Sequence, residues 1–199
     1  MRHVGMLLGG ALLVLGWLAG PVSLAGQNAR PDQEAPTEEE TASATGSDRF
    51  AGLDWLVGEW QGYGLFADDT TFIHKRYSYE VGGRFLVERT LDMFPPARPS
   101  TEFEVHQDMT VFYRTEEGYR AKGFFVEGFV WNSEVEIRNE GGVIFVSTTA
   151  VENGPPGTRA RYTVERTGQD AFEATFEIAW PDQDFDVFEQ IHMRRASKG

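Results

Sequence analysis

The chain has 199 residues, no cysteine and a formal net charge of −13 at neutral pH. The lack of cysteine excludes disulfide cross-links and a lipid-modified N-terminal cysteine, so the fold must be held together by its apolar core. The acidic excess argues against nucleic acid or an anionic membrane surface as a partner, because both are bound by basic patches.

Residues 1–25 have the organisation of a secretory signal peptide. Arg2 supplies the positive charge, Met6–Leu18 the apolar segment and Ser23–Ala25 a cleavage site of small residues. Glycines interrupt the apolar segment, which is shorter than the ~20 residues needed to cross a membrane, and this disfavours the alternative of an uncleaved anchor helix. We predict cleavage near Ala25, export to the periplasm or the extracellular space, and no membrane anchor in the mature protein.

Residues 26–47 are predicted to form a disordered acidic linker. This segment has no aromatic residue and contains the run Glu38–Glu40, whose charges repel one another. It cannot bury enough apolar surface to offset the entropy lost on ordering. The remaining residues, 48–199, are numerous enough for one domain with a full core.

The first element of that domain is predicted to be a short helix that ends at Trp55. The following residues read VGEWQGYG, in which Gly58 allows a turn and Trp60 begins the first strand. Gly62 and Gly64 fall on the same face as Trp60 and are expected to let this strand bend as the sheet closes. We predict that the two tryptophans plug one end of the fold, with ligand contact as the alternative.

Alternation of apolar and polar residues dominates the rest of the chain and indicates strands with one buried and one exposed face. The predicted strands occupy residues 59–66, 70–80, 84–94, 102–115, 118–127, 129–138, 142–151, 158–167, 171–180 and 185–195. Nearly all connections are short, which favours antiparallel hairpins, and a long meander removes its exposed edges by closing. We predict an all-β, antiparallel up-and-down β-barrel of about ten strands, closed at one end by the helix. A β-sandwich is the alternative.

Two polar residues interrupt the predicted buried faces. Arg89 is in register with Val87 and Leu91, and Gln107 is in register with the apolar residues on either side of it. A buried arginine costs several kcal/mol unless it is paired. Its partner would be a ligand carboxylate, such as a fatty-acid-like head group, or an internal acid such as Glu189. A β-bulge that turns Arg89 outward is a further alternative.

Three segments between Leu53 and Thr90 resemble a known family. The segments LDWLVGEWQGYG, FIHKRYSYE and GGRFLVERT resemble the opening of the calycin-like (lipocalin- and fatty-acid-binding-like) barrels, which include nitrobindin-type barrels and related exported bacterial proteins of unknown function. The resemblance implies a β-barrel. For the haem-binding nitrobindins it also implies a proximal histidine on a late strand, where this sequence offers His192.

The sequence shows no enzyme motif. It has no cysteine nucleophile, GxSxG elbow, HExxH motif, Walker loop or GxGxxG motif. The DQDFD segment at Asp182 lacks the glycine of a calcium-binding loop. His74, His106 and His192 fall on different predicted strands, and such histidines are more often surface residues than a metal triad. We therefore expect neither an enzyme nor a metal site.

These observations favour a non-enzymatic protein that holds a small apolar or amphipathic molecule inside its barrel, without a cofactor. The predicted ligand-binding residues are Arg89, Gln107, Tyr113, Trp131 and Trp180. One alternative is a haem-binding, nitric-oxide-handling protein that uses His192. The other is a structural or interaction module whose barrel is filled by its own aromatic side chains.

Overall fold

The computed structural model describes residues 46–66, 69–96 and 102–197. The predicted signal peptide and nearly all of the predicted linker lie outside these ranges. The chain divides into two units, Met1–Thr41 and Ala42–Gly199, and every described residue belongs to the second unit. Within the described ranges, no helix has both the length and the hydropathy that crossing a membrane requires.

The helix predicted before the barrel is replaced by two shorter elements. Helix α1 spans Gly46–Arg49, and a 3₁₀ turn spans Asp54–Leu56. Between them Gly52 has a φ of 89°, which an α-helix does not accommodate. The N–H of Leu53 donates to the carbonyl of Phe50 at 2.8 Å, which closes a tight turn. The segment therefore reaches the barrel through consecutive turns.

The described residues form ten strands. They are β1 (Gly58–Phe66), β2 (Asp69–Glu80), β3 (Phe85–Phe94), β4 (Glu104–Thr115), β5 (Gly118–Phe124), β6 (Val130–Arg138), β7 (Val143–Glu152), β8 (Arg159–Gly168), β9 (Ala171–Ala179) and β10 (Asp186–Arg195). Each strand pairs antiparallel with its neighbours in sequence, and β1 pairs with β10. The predicted up-and-down barrel is confirmed, and its closure excludes the β-sandwich.

The turns that precede β1 plug one end of the barrel, which we call the plugged end. Trp60 is fully buried there, and its indole Nε1 donates to the carbonyl of Leu56 at 2.6 Å. The Trp60 ring meets Phe172 edge-on, with 4.8 Å between the ring centroids, and the Arg195 guanidinium lies 4.3 Å from its centre. Arg195 also donates to the carbonyl of Trp55 at 2.9 Å. The opposite end, where β1 finishes and β2 begins, is the open end.

Two glycines let β1 approach β10 closely. A Cβ atom on Gly62 would collide with the backbone carbonyl of His192, and a Cβ atom on Gly64 would collide with the carboxylate of Glu189. Gly62 is therefore needed because the backbone of β10 leaves no room for a side chain. This is a second reason for a glycine here, in addition to the bend that the sequence predicts. The missing side chain at Gly64 leaves the space that Glu189 occupies inside the barrel.

The inner faces of β3 and β4 are opposite to those predicted. Leu86 belongs to the core cluster, and Glu88 and Thr90 are buried on the same alternation, whereas Arg89 between them is exposed. The inner face of β4 is reversed as well, because Asp108 of β4 pairs with the buried Thr90 of β3. The middle of the barrel interior is therefore polar on these strands.

Candidate functional site

A buried ion pair lies across the inner face of β2 and β3. Lys75 Nζ donates to Glu88 Oε1 at 2.6 Å and to the hydroxyl of Thr90 at 3.0 Å. The Thr90 hydroxyl donates in turn to Glu88 at 2.9 Å, and Tyr77 donates a further hydrogen bond to Glu88. The side chains of Lys75 and Glu88 are only 6% and 9% exposed. The pair forms a hydrogen-bonded polar floor across the barrel, and we call the interior between this floor and the open end the open half.

Each member of this pair keeps the other charged. Burial alone would raise the pKa of Glu88 and lower the pKa of Lys75, because it penalises both charged forms. The opposite charge outweighs burial in each case, so the pKa of Glu88 is lowered and that of Lys75 is raised. Both side chains are therefore ionised at neutral pH, and their charges cancel.

Three further carboxyl groups face the open half, from β3, β4 and β10. Burial, reinforced by neighbouring acids, raises the pKa of Asp92 to about 7. Burial also raises the pKa values of Asp108 and Glu189. Asp108 accepts from the backbone N–H of Val126 at 2.9 Å, and Glu189 accepts from the hydroxyl of Thr71 at 3.1 Å. Across the described part of the chain, none of the three acids forms a salt bridge.

Aromatic rings line the open end next to these acids. The collar, as we call this set, consists of Phe66, Phe94, His106, Phe125, Trp131, Phe176 and Phe188. The rings contact one another in a chain that runs from His106 through Phe94, Phe66, Phe188, Phe176 and Trp131 to Phe125, with centroid separations between 4.4 and 6.5 Å. The collar side chains are partly exposed, so solvent reaches the open end. Such a surface suits the apolar part of a ligand.

Three buried polar atoms in the open half have no hydrogen-bond partner among the described residues. They are Tyr162 Oη, Trp131 Nε1 and Asp92 Oδ1. Two more, Arg49 Nε and Tyr79 Oη, lie at the plugged end. An unsatisfied buried polar atom costs about 1–3 kcal/mol, and buried polar atoms in folded proteins are normally bonded to protein or to ordered water. The open half thus offers both hydrogen-bond donors and acceptors to a bound molecule.

Arg89 and Gln107 lie on the outer face, so their predicted place inside the barrel is wrong. Arg89 is 52% exposed and donates to Glu80 Oε1 at 3.2 Å. Gln107 is exposed on the neighbouring strand. The prediction fails because the outer face of β3 and β4 also carries apolar residues, including Val87 and Met109. No β-bulge is needed, since regular alternation alone turns Arg89 outward.

Arg89 and Gln107 do share a groove of about 550 Å³ on the outside of the barrel. Two of its charged side chains have partners: Arg89 is paired with Glu80, and His74 lies 2.8 Å from Glu59. Among the described residues that line the groove, none has a buried side-chain polar atom without a hydrogen-bond partner, in contrast to the open half of the barrel.

The structure separates the three aromatic residues predicted to bind a ligand. Trp131 is part of the collar, where its ring contacts Phe176 of β9. Tyr113 lies on the outer face of β4, opposite Arg120 of β5. Trp180 follows β9 in the connection to β10 and is 40% exposed. Only Trp131 is brought next to the polar interior.

His192 lies on the outer face of β10. Its ring stacks on Tyr63 with 5.0 Å between centroids, and Nδ1 lies 3.3 Å from Glu173 Oε1. From this position it cannot ligate a haem held inside the barrel. Over residues 46–66, 69–96 and 102–197, no group of three or more histidine and acidic side chains is arranged to hold a metal ion.

Sequence reasoning missed Lys75, Glu88 and Asp92. A signal for them exists, because Lys75 alternates with Ile73 and Tyr77 within a predicted strand. A lysine on an apolar alternation requires an acid on a neighbouring strand. Glu88 meets this requirement on β3, and this pairing identifies the inner face.

The fold is similar to that of Rv2717c from M. tuberculosis, with a TM-score of 0.52 and 12% sequence identity over 73% of this chain and 98% of that chain. Weaker likenesses are a de novo designed fluorescence-activating β-barrel (TM-score 0.36, 10% identity, 73% and 98% covered) and the S-type phycobiliprotein lyase CPES from Guillardia theta (TM-score 0.45, 11% identity, 73% and 92% covered). No family model and no curated protein matches the chain. The likeness to Rv2717c is one of fold alone. The narrower resemblance to nitrobindin-type barrels stays a prediction.

Proposed function

We propose that the protein is an exported, non-enzymatic binding protein that holds a small amphipathic molecule in the open half of its barrel. The observation that carries this proposal is the set of buried, unpartnered atoms Tyr162 Oη, Trp131 Nε1 and Asp92 Oδ1. One molecule with matching polar groups would satisfy all of them and remove the penalty of leaving them unpaired.

The collar supports an amphipathic ligand rather than a purely polar one. The apolar part of such a molecule would contact the aromatic rings, while its polar part would reach the acids beneath them. Ligand sites in barrels combine apolar walls with a few placed polar groups in this way. The plugged end, where Trp60 is fully buried, leaves the collar as the entrance.

The remaining parts of the proposal rest on the sequence and on the ion pair. Export is supported by the signal-peptide pattern of residues 1–25. A binding role, rather than catalysis, is supported by the hydrogen bonds that commit Lys75 and Glu88 to each other and to Thr90. A lysine held charged in this way is a poor base or nucleophile.

The test uses the neutral apolar dye Nile red and the fluorescence of Trp131. We expect saturable binding of one dye molecule per chain, with quenching of tryptophan emission. Trp131→Phe should abolish most of this quenching, because Trp131 is the tryptophan of the collar. The matched control Trp180→Phe should retain it, because Trp180 lies on an exposed connection. Quenching that survives Trp131→Phe, or dye binding that never saturates, would place the dye elsewhere and contradict the proposal.

A further inference from the structure

We infer that the molecule bound in the open half carries a cationic head group, such as a protonated amine, beneath its apolar part. This inference rests on the proposed function and adds the charge of the ligand. It follows from the charges that the inner face presents, from the atoms left without partners, and from the spacing of the acids.

The inner face of the open half has an excess of acids. Lys75 and Glu88 neutralise each other at 2.6 Å. Asp92, Asp108 and Glu189 remain, and none of them has a salt-bridge partner in the described ranges. An anionic head group in this space would meet like charges, whereas a cationic one would meet opposite charges at low dielectric, where both effects are large.

The unpartnered oxygens fit an ammonium group. Asp92 Oδ1 and Tyr162 Oη are buried and can both accept hydrogen bonds. They belong to one neighbourhood, because Lys75 Nζ lies 5.7 Å from the centre of the Tyr162 ring and Lys75 also interacts electrostatically with Asp92. An ammonium group has three N–H donors to offer such oxygens. The aromatic faces of the collar add cation–π attraction for a cation that enters through the open end.

An organic cation fits the site better than a metal ion does. The acids of the open half are spread over β3, β4 and β10, and in the described part of the chain no three of them converge at metal-ligand geometry. A metal ion bound by the acids would also make no contact with the aromatic rings of the collar. An amine with an apolar tail uses both the acids and the aromatic rings.

The same observations oppose the fatty-acid-like head group that the sequence offers as one of the possible partners of Arg89. That alternative depends on Arg89 inside the barrel, and Arg89 is paired with Glu80 on the outside. The cation that does lie inside, Lys75, is already bonded to Glu88 and Thr90. The inner face therefore favours a cationic head group over an anionic one.

The test compares three compounds that share one tail: dodecylamine, dodecan-1-ol and dodecanoate. Isothermal titration calorimetry at about pH 8 should show dodecylamine binding at least about tenfold more tightly than dodecan-1-ol, and dodecanoate binding most weakly. Equal affinities for the amine and the alcohol, or a preference for dodecanoate, would overturn the inference.

Single substitutions test which acids cause the preference for dodecylamine. Asp92→Asn should remove most of the preference for the amine over dodecan-1-ol, because it removes the acceptor charge. Glu189→Gln is a second variant with the same expectation, in case Asp92→Asn does not fold. Glu134→Gln removes a charge from the outer face and should change neither affinity. An amine preference that persists in both inner variants would contradict the assignment.

The preference should depend on pH. The charged groups that face Asp92 are Lys75 from β2, Glu88 from β3, Asp108 from β4 and Glu189 from β10, with Tyr162 from β8 nearby and His106 opposite in register. Because the pKa of Asp92 is raised to about 7, its charge develops as the pH rises through neutrality. The amine keeps its proton up to about pH 10, so its binding should tighten between about pH 5.5 and about pH 8, while dodecan-1-ol binding should not. A flat or inverted profile for the amine would contradict the inference.

The outcomes separate the inference from the proposed function. If dodecan-1-ol and dodecylamine bind equally and Nile red quenches Trp131, the binding site stands and only the charge of its ligand is wrong. If none of the three compounds binds and Nile red also fails, both are wrong.

Discussion

The ion pair between Lys75 and Glu88 is the least expected feature at the scale of single residues. Two charges in a barrel interior cost several kcal/mol each unless other hydrogen bonds complete their coordination. Thr90 completes it by accepting from Lys75 at 3.0 Å and donating to Glu88 at 2.9 Å. The pair therefore tolerates burial, but it depends on both members being present.

Removing one member of the pair should be costly. Lys75→Met keeps a similar volume but leaves Glu88 as an uncompensated buried charge, so the free energy of unfolding should fall by about 3–5 kcal/mol. The measurement is urea unfolding followed by circular dichroism. The matched control is Arg89→Met, which removes an exposed ion pair with Glu80 and should leave stability nearly unchanged. Equal losses in the two variants, or a larger loss in Arg89→Met, would contradict the placement of Lys75 inside the barrel and Arg89 outside it.

The comparison of Lys75 with Arg89 shows where sequence reasoning ends at this scale. Each is a lone cation within an alternation of apolar residues, so the local pattern treats them alike. What distinguishes them is the residue opposite on the next strand, and that depends on register. Lys75 meets Glu88 and Thr90 inside, whereas Arg89 reaches Glu80 outside. Register is set by turns and packing along the whole sheet, which a single strand does not reveal.

At the scale of elements, the contact between β1 and β10 closes the barrel. The pairing runs from Trp60 opposite Arg195 to Leu65 opposite Gln190. Gly62 lies within this contact, where a side chain would meet the backbone of β10 rather than a flexible group. Neither strand can yield without loss of pairing.

A single methyl group should therefore disturb closure. Gly62→Ala should destabilise the barrel by about 1–3 kcal/mol or more, the cost of overpacking a filled interior. Gly168→Ala is the control, because a Cβ atom there meets its nearest neighbour at an ordinary 3.8 Å. Thermal melts of the two variants make the comparison. If Gly62→Ala has the same melting temperature as the wild type, β1 and β10 are not closely packed at this position.

The limits of the elements could be predicted from the sequence, but their faces could not in every case. The predicted strand 84–94 agrees with β3 at Phe85–Phe94, because turn residues mark the ends. In β9 the predicted inner face is right, with Phe172 and Ala174 in the core. In β3 it is wrong, because the interior is polar there and the outer face is apolar. Period-two alternation gives two faces, and hydropathy chooses between them only where the interior is apolar.

At the scale of the whole molecule, closure gives the barrel two unlike ends. The plugged end is packed by Trp60 and Phe172 with a T-shaped contact. The open end carries the collar and, beneath it, the acids and the unpartnered atoms. The all-β meander could be predicted because nearly every connection is short. The site could not, because its members come from β3, β4, β6, β8 and β10, and only closure of the barrel brings them together.

The most direct measurement of ligand binding is native mass spectrometry of the protein purified from its own host. A bound amphipathic molecule should appear as one additional mass of a few hundred daltons per chain, retained in gentle ionisation and lost on denaturation. The same preparation of Trp131→Ala should carry much less of it, since that variant removes part of the collar, whereas Tyr113→Ala on the outer face should carry as much as the wild type. Protein that shows only the mass of its own chain, or a bound mass that Trp131→Ala retains in full, would contradict a ligand held in the open half of the barrel.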